Sequence, residues 1–222
     1  MPIPYLTEEL WFPPADQTTG DGIVAIGGDL SPNRLLLAYQ KGIFPWYNED
    51  EPPIWWCPDP RFVLFPNELR VSKSMKQLFR KEALHVTYNK AFEEVIHNCG
   101  ATREDFEGTW ISNDIKEAYN TLHRIGYAIS AEAWLDNQLV GGLYGIKLGT
   151  VFFGESMFST VSNASKYAFI SLTEKLQQEG LTLIDCQIYT EHLESLGGRD
   201  MNRSDFLRHM EEQVGHIPFL ET

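Results

Sequence analysis

Gly180-Leu-Thr-Leu-Ile-Asp-Cys-Gln-Ile188 decides how the rest of the chain is read. The stretch is apolar, opens on a glycine and runs into a polar segment, as a short buried strand does. Side chains alternate between the two faces of a strand. Leu181, Leu183, Asp185 and Gln187 therefore share one face, and Thr182, Ile184, Cys186 and Ile188 share the other. A carboxylate and an amide two residues apart on one face of a core strand cost free energy unless partnered. Asp185 and Gln187 are the first candidate site residues.

The elements just upstream give this strand its neighbours. Asn163–Glu179 reads as a helix with Ala164, Tyr167, Ala168, Leu172 and Leu176 as its buried stripe, closed by Gly180. Before it, Thr150–Phe158 reads as a strand. Tyr127–Trp134 and Gln138–Lys147 read as a β-hairpin around Asp136-Asn137. A helical crossover usually returns to a parallel neighbour, which places the Asp185 strand beside Thr150–Phe158. On that second strand Val151, Phe153, Glu155 and Met157 share a face, so Glu155 is a second carboxylate near Asp185. Glu155 and Asp185 could be partnered structural carboxylates. Two on neighbouring strands, with Gln187, favour a functional cluster. Cys186 faces away from Asp185 and reads as core, although His192 follows it closely. Three antiparallel strands, a helix and a strand resemble the core of GNAT-like acyltransferases, a statement about fold alone.

Residues 1–62 differ from the rest, with most of the prolines and four of the six tryptophans. One helix is evident, with Ser31 as N-cap, Pro32 at its first position, Leu35, Leu36 and Tyr39 inward, and Gly42 beyond its end. Gly42–Tyr47 and Ile54–Arg61 read as Pro-broken aromatic loops, in which Trp46 and Trp56 could be core or could be exposed for stacking. Residues 69–81 carry Arg70, Lys73, Lys76, Arg80 and Lys81 without an acid. With Ser72 as cap, Lys73, Lys76 and Arg80 fall on one helical face and Lys81 flanks it. Charge alone fits a solvated face or a phosphate-binding one. Five of the 18 basic residues in an otherwise acidic chain point to a polyanion. Further helices are expected at Lys90–Asn98, at Asn113–Ile125 with Ser112 as cap and Ile115, Ala118, Tyr119 and Leu122 at helical spacing, and from Arg203 to about Gln213.

Composition narrows the class. A chain of 222 residues with 43% apolar and 22% charged residues can bury a substantial core. The first residues lack the basic and apolar regions of a signal peptide, and no apolar run is long enough to cross a membrane. Three widely spaced cysteines suit reduced thiols in the cytoplasm and neither a disulfide frame nor a zinc site. A net charge of −13 repels nucleic acid except at a local basic patch. The glycines at Val24–Asp29 and Gly141–Gly145 lack the context of a phosphate or dinucleotide loop, and the histidines show no metal spacing.

Nine segments carry a more specific resemblance: Gly-Gly-Asp-Leu30, Gly-Ile-Phe-Pro-Trp46, Trp-Trp-Cys-Pro-Asp-Pro-Arg61, Thr-Trp-Ile111, Leu-Val-Gly-Gly-Leu-Tyr-Gly145, Phe-Gly-Glu-Ser-Met-Phe-Ser159, Asn-Ala-Ser-Lys166, Leu-Ile-Asp-Cys-Gln187 and His-Leu-Glu-Ser-Leu-Gly197. In order and over nearly the whole chain, they resemble the leucyl/phenylalanyl-tRNA–protein transferase family. One departure is Ile129, where the family commonly has His.

The resemblance implies an α+β fold, with a small N-terminal α/β domain over 1–62 and a GNAT-like acyltransferase domain over 63–222, its mixed sheet flanked by helices. It implies a bacterial, cytoplasmic, monomeric enzyme that uses no CoA, ATP or metal. Such an enzyme moves Leu or Phe, and less well Met, from aminoacyl-tRNA to proteins beginning with Arg or Lys, marking them for degradation in the N-degron pathway. Trp46 and Trp110 would hold the donor's terminal adenosine, and Leu143, Phe152, Leu172 and Ile184 an apolar side-chain pocket. Arg80 and Lys81, with Lys73 and Lys76 on the same helix, would meet the tRNA. For the reaction we expect Gln187 to accept a hydrogen bond from the attacking amine, Asp185 to fix that amide and Glu155 to orient an ammonium. A CoA-dependent N-acetyltransferase also fits the strand order, but no Gly-rich pyrophosphate loop opens the Asn163 helix. A non-catalytic binder of RNA ends or peptide termini is the other rival.

Overall fold

A computed structural model describes residues 2–104, 111–215 and 220. The first elements are β1 (Tyr5–Leu6), β2 (Ile23–Gly27), α1 (Pro32–Gln40), β3 (Phe44–Pro45) and β4 (Ile54–Trp56). Ser31 caps α1 by accepting the Arg34 N–H, as its sequence predicts. The strands form a small sheet in the order β1-β2-β4-β3. The aromatic segments expected to be loops thus pair as β3 and β4. Strands of two or three residues carry no readable alternation, so only their partners reveal them.

The remaining elements are β5 (Arg61–Leu64), α2 (Lys73–Arg80), β6 (His85–Tyr88), α3 (Phe92–Glu104), α4 (Asn113–Arg124), β7 (Ala128–Leu135), β8 (Gln138–Leu148), β9 (Val151–Ser159), α5 (Ala164–Gln178), β10 (Leu183–Gln187), α6 (Glu191–Ser195), β11 (Arg199–Met201) and α7 (Arg203–Gln213). Their strands form one mixed sheet, β11-β5-β10-β9-β8-β7-β6. Asp136 and Asn137 both take positive φ, 48° and 63°, the two-residue turn that matches the twist of the β7–β8 hairpin. The α5 crossover brings β10 back parallel to β9, as expected, with Ile184 opposite Phe152 and Asp185 opposite Phe153. On its other edge β10 pairs antiparallel with β5. Helix α5 packs with Leu143, Phe152 and Ile184 on one face of the sheet. Helices α1, α3, α4 and α7 pack on the other, in an apolar cluster shared with Trp55 of the small sheet.

One irregularity positions the site. Along β8 and β9, Tyr144 lies opposite Ser156 and Gly145 opposite Gly154, so Glu155 is an extra residue in a β-bulge. Gly145 permits it, since a Cβ there would sit 2.1 Å from the Phe153 carbonyl oxygen. The bulge inverts the alternation of side chains. Phe153 and Phe158 enter one cluster while Phe152 and Met157 face the other. This corrects the sequence expectation that Met157 shares a face with Val151 and Phe153.

Candidate active site

The pairing of β9 with β10 ends at Phe153 and Asp185, although β9 runs on to Ser159. The strands splay there, and a cleft of about 480 Å³ opens between them. Glu155, Ser156 and Met157 of β9 form one wall, and Ile184, Cys186 and Gln187 of β10 form another. Leu143, Phe169 and the Phe44–Trp46 segment close it, and His192 of α6 lies at its lining.

Gln187 ends β10 with φ +66°, left-handed backbone that a residue with a Cβ rarely adopts. The register to β5 slips at the same point, between Asp185 and Gln187. Gln187 consequently leaves the alternation of the strand. Its Nε2 donates to Glu155 Oε1 at 2.9 Å, and its backbone N–H donates to Asp185 Oδ1 at 2.9 Å. With the nitrogen committed to Glu155, the amide oxygen is the end of Gln187 free to accept.

Asp185 stands elsewhere than expected. Its side chain is fully buried and outside the cleft lining, with Arg61 Nε on Oδ1 at 2.7 Å and Nη2 on Oδ2 at 2.6 Å. The guanidinium carbon of Arg61 lies 4.7 Å from the Phe44 ring centroid and 4.5 Å from that of Phe206. The expectation that Asp185 fixes the Gln187 amide is therefore corrected. Glu155 holds the amide, and Asp185 holds the Gln187 backbone, because the Asp185 oxygens are drawn to a buried cation on β5.

Glu155 is 6% exposed and accepts three hydrogen bonds. Tyr39 donates to Oε1 at 2.7 Å beside Gln187, and Tyr119 donates to Oε2 at 3.1 Å. The Tyr39 and Tyr119 hydroxyls are also hydrogen-bonded to each other. Burial pushes the Glu155 carboxyl up to about 7, the charge of Asp185 adding to the rise and the three donors opposing it. Burial beside Glu155 raises both phenols well above their ordinary range. Cys186 is buried as expected, its thiol pushed far up by burial, so it is no nucleophile at neutral pH. Among the described residues, no group of three or more His, Cys, Asp or Glu could hold a metal ion.

Comparison with known proteins decides the family. A model described as leucyl/phenylalanyl-tRNA protein transferase matches residues 63–211, and one for that protein's N-terminal domain matches residues 28–59. The chain belongs to the leucyl/phenylalanyl-tRNA–protein transferase family. A Flavobacterium johnsoniae protein of that name is 58% identical over 204 residues, 91% of this chain and 96% of its own. One from Nitrosospira multiformis is 49% identical over 217 residues, 97% of this chain and 94% of its own. Among solved structures, an aminoglycoside acetyltransferase from a soil metagenome aligns with a TM-score of 0.41 at 16% identity, over 64% of this chain and 99% of its own.

Of the residues that the transferase resemblance points to, Leu143 and Ile184 stand in the cleft wall. Trp46 stands there too, 41% exposed, its ring centroid 5.8 Å from that of Trp56. Phe152 and Leu172 do not line the cleft and are 1% and 3% exposed in the cluster behind it. Trp110 lies outside the described residues. Lys73, Lys76 and Arg80 are exposed on α2 and Lys81 just beyond it, while Met75 is buried. Sequence reasoning missed Arg61 and Ser156 as site residues and read Tyr39 and Tyr119 only as parts of helical stripes. Ser156 is 7% exposed and lines the cleft with a hydroxyl that has no partner among the described residues. A buried Asp185 without an evident cation was the one signal that could have led to Arg61.

Proposed function

We propose that this transferase moves Leu or Phe, and less well Met, from the 3′ end of aminoacyl-tRNA to the α-amine of polypeptides beginning with Arg or Lys. In this reading the product enters an N-degron pathway in the cytoplasm and the enzyme acts as a monomer. The observation that carries it is the Gln187 amide, its nitrogen tied to Glu155 and its oxygen left to accept at a cleft with an apolar wall. Membership of the family supports it.

The donor is an ester and needs no further activation, so the enzyme must align it with a neutral amine. Alignment of this kind contributes up to about 7–11 kcal/mol. The amide oxygen of Gln187 accepts one N–H of the incoming amine and aims its lone pair at the ester carbonyl. Asp185 and Arg61 act behind it as positioning residues that hold the Gln187 backbone. Leu143, Met157, Phe169 and Ile184 suit the donor side chain. An apolar wall separates similar apolar groups poorly and rejects polar ones, which agrees with a short list of apolar donors.

The exposed cations of α2 suit the phosphates of the donor RNA in a chain that is otherwise acidic. The cationic acceptor suits the acids elsewhere. Asp29, Glu49, Glu51, Asp114 and Glu117 line a groove beside Tyr47, the neighbour of Trp46 in sequence. The deciding experiment incubates the protein with labelled Leu-tRNA or Phe-tRNA and peptides that begin with Arg, Lys or Ala. Transfer to Arg and Lys peptides alone is expected. Equal labelling of the Ala peptide would remove the acceptor assignment, and no labelling at all would remove the function.

A further inference from the structure

Tyr39, Tyr119 and Glu155 come from three elements, α1, α4 and β9, and each touches the other two. Three hydrogen bonds join three groups, and each bond needs its own proton. The two phenols supply one proton apiece. An ionised Glu155 supplies none, so one of the three contacts would then face two oxygens with no hydrogen between them. A neutral Glu155 supplies the third. In that state the Tyr119 bond to Oε2 reverses, and the bonds run in a closed ring, from the Oε2 hydroxyl to Tyr119, from Tyr119 to Tyr39 and from Tyr39 to Oε1. In that ring Oε1 is a carbonyl oxygen and still accepts from Gln187 Nε2, as observed. The triangle therefore accommodates a protonated carboxyl with a hydrogen in each of its three contacts.

We propose that Glu155 is the proton acceptor of the transfer, with Tyr39 and Tyr119 as positioning residues that close a ring of hydrogen bonds around it once it is protonated. The proposal rests on the aminoacyl transfer argued above. The acceptor polypeptide arrives largely as an ammonium, because an α-amino group titrates at about 7.7–8.0. Its N–H bond breaks, the proton becomes the carboxyl O–H of Glu155 and the electron pair stays on nitrogen. Nitrogen then bonds to the ester carbonyl carbon, the bond from that carbon to the ribose oxygen breaks, and this oxygen takes a second proton from nitrogen. One ammonium, one ester and one carboxylate become one amide, one hydroxyl and one carboxylic acid. The proton on Glu155 returns to water before the next turnover.

An amide oxygen cannot keep a proton, and Asp185 is committed to Arg61 behind the cleft. Glu155 lies at the cleft wall and is held by Gln187 itself. The groups around it are Asp185 and Arg61 on β10 and β5, Tyr144 on β8 edge-on to Tyr119, and His192 on α6 in the same lining. Burial dominates and the charge of Asp185 adds to it, which leaves the carboxyl near the pH at which it must gain and lose a proton.

The test pairs infrared spectra of protein carrying ¹³C-labelled glutamate with the pH dependence of kcat/KM for Leu transfer to an Arg-starting peptide. We expect a protonated carboxyl band that is absent in Glu155→Gln and fades with a midpoint near 7. The rate should rise along the same midpoint. In Glu155→Gln the rate at pH 7 should fall by about 10²- to 10⁴-fold and follow the peptide's own amine instead. In Tyr39→Phe/Tyr119→Phe both midpoints should move upward together, because the carboxylate loses two charge-assisted donors. Each single Tyr→Phe variant should likewise move both midpoints together, which guards against a poorly folded double variant. The proposal is overturned if no such band depends on Glu155, or if the wild-type rate profile survives in Glu155→Gln. If no Leu transfer occurs, the functional reading falls separately, and the infrared titration still decides the protonated ring.

Discussion

Arg61 and Asp185 meet through two parallel hydrogen bonds, 2.7 and 2.6 Å long, with neither side chain exposed to solvent. The second role of Asp185 Oδ1 is to accept the backbone N–H of Gln187. A buried ion pair therefore holds the left-handed residue that presents its amide to the cleft.

Breaking the pair from one side should be costly. A buried charge left without its partner destabilises by about 3–5 kcal/mol. Asp185→Ala and Arg61→Ala are expected to lower the unfolding free energy by that much, read from urea midpoints at unchanged slope. Arg61→Met/Asp185→Leu fills similar volume without charge and should recover most of the loss. Transfer by this double variant should nevertheless stay low, because the Gln187 N–H has lost its acceptor. Full activity in the double variant would reduce the pair to a stabilising role.

The conformation of Gln187 gives a second prediction. Holding a residue other than glycine at φ +66° costs about 1–3 kcal/mol. Gln187→Gly relieves that strain while losing one hydrogen bond of about 1 kcal/mol, so its stability should be near wild type. Gln187→Ala loses the same bond and keeps the strain, and should be less stable than Gln187→Gly by about 1 kcal/mol. Both should lose transfer alike, which thermal unfolding and peptide labelling on the same preparations would show. Equal stability of the two variants would contradict the strain argument.

The sequence exposes whatever rests on local chemistry. Ser31, Ser72 and Ser112 each accept the N–H expected of a cap, and Asp136-Asn137 makes the expected turn. The α5 crossover sets the parallel pairing of β9 and β10, so Glu155 and Asp185 fall on adjacent strands as expected. What stays hidden depends on partners far along the chain. Arg61 lies 124 residues from Asp185, and Tyr39 lies 116 residues from Glu155. Periodicity marks Tyr39 and Tyr119 as inward without telling a packed ring from a hydrogen-bonded hydroxyl. The bulge at Glu155 is hidden because an extra residue in one strand becomes apparent only against the register of its neighbour.

Helix α2 should reveal itself through salt. If its cations meet phosphates, each one removed should reduce the slope of log affinity against log salt by about 1. Lys76→Gln and Arg80→Gln are exposed changes with little effect on folding. They should weaken binding of Leu-tRNA, measured by filter retention between low and moderate salt, and leave KM for the peptide unchanged. An unaltered slope in the double variant would make this face merely solvated.

The raised Glu155 carboxyl also bears on stability, with a definite sign. Its folded value of about 7 lies above the ordinary 4.5, so between those values the folded chain holds a proton that the unfolded chain has released. Stability contributed by this group is complete below pH 4.5, declines as pH rises towards 7 and is level above it, a fall of about 3 kcal/mol. His192 and His209 are held below their ordinary range by burial and act in the opposite sense, gaining stability as pH rises through the histidine range. The difference between wild type and Glu155→Gln isolates the carboxyl. Urea unfolding from pH 4.5 to 8 should show the wild type losing stability relative to Glu155→Gln across this window and running parallel to it above. Curves parallel throughout would mean that Glu155 is ionised in the folded protein, and the hydrogen-bonded ring with Tyr39 and Tyr119 would have to open.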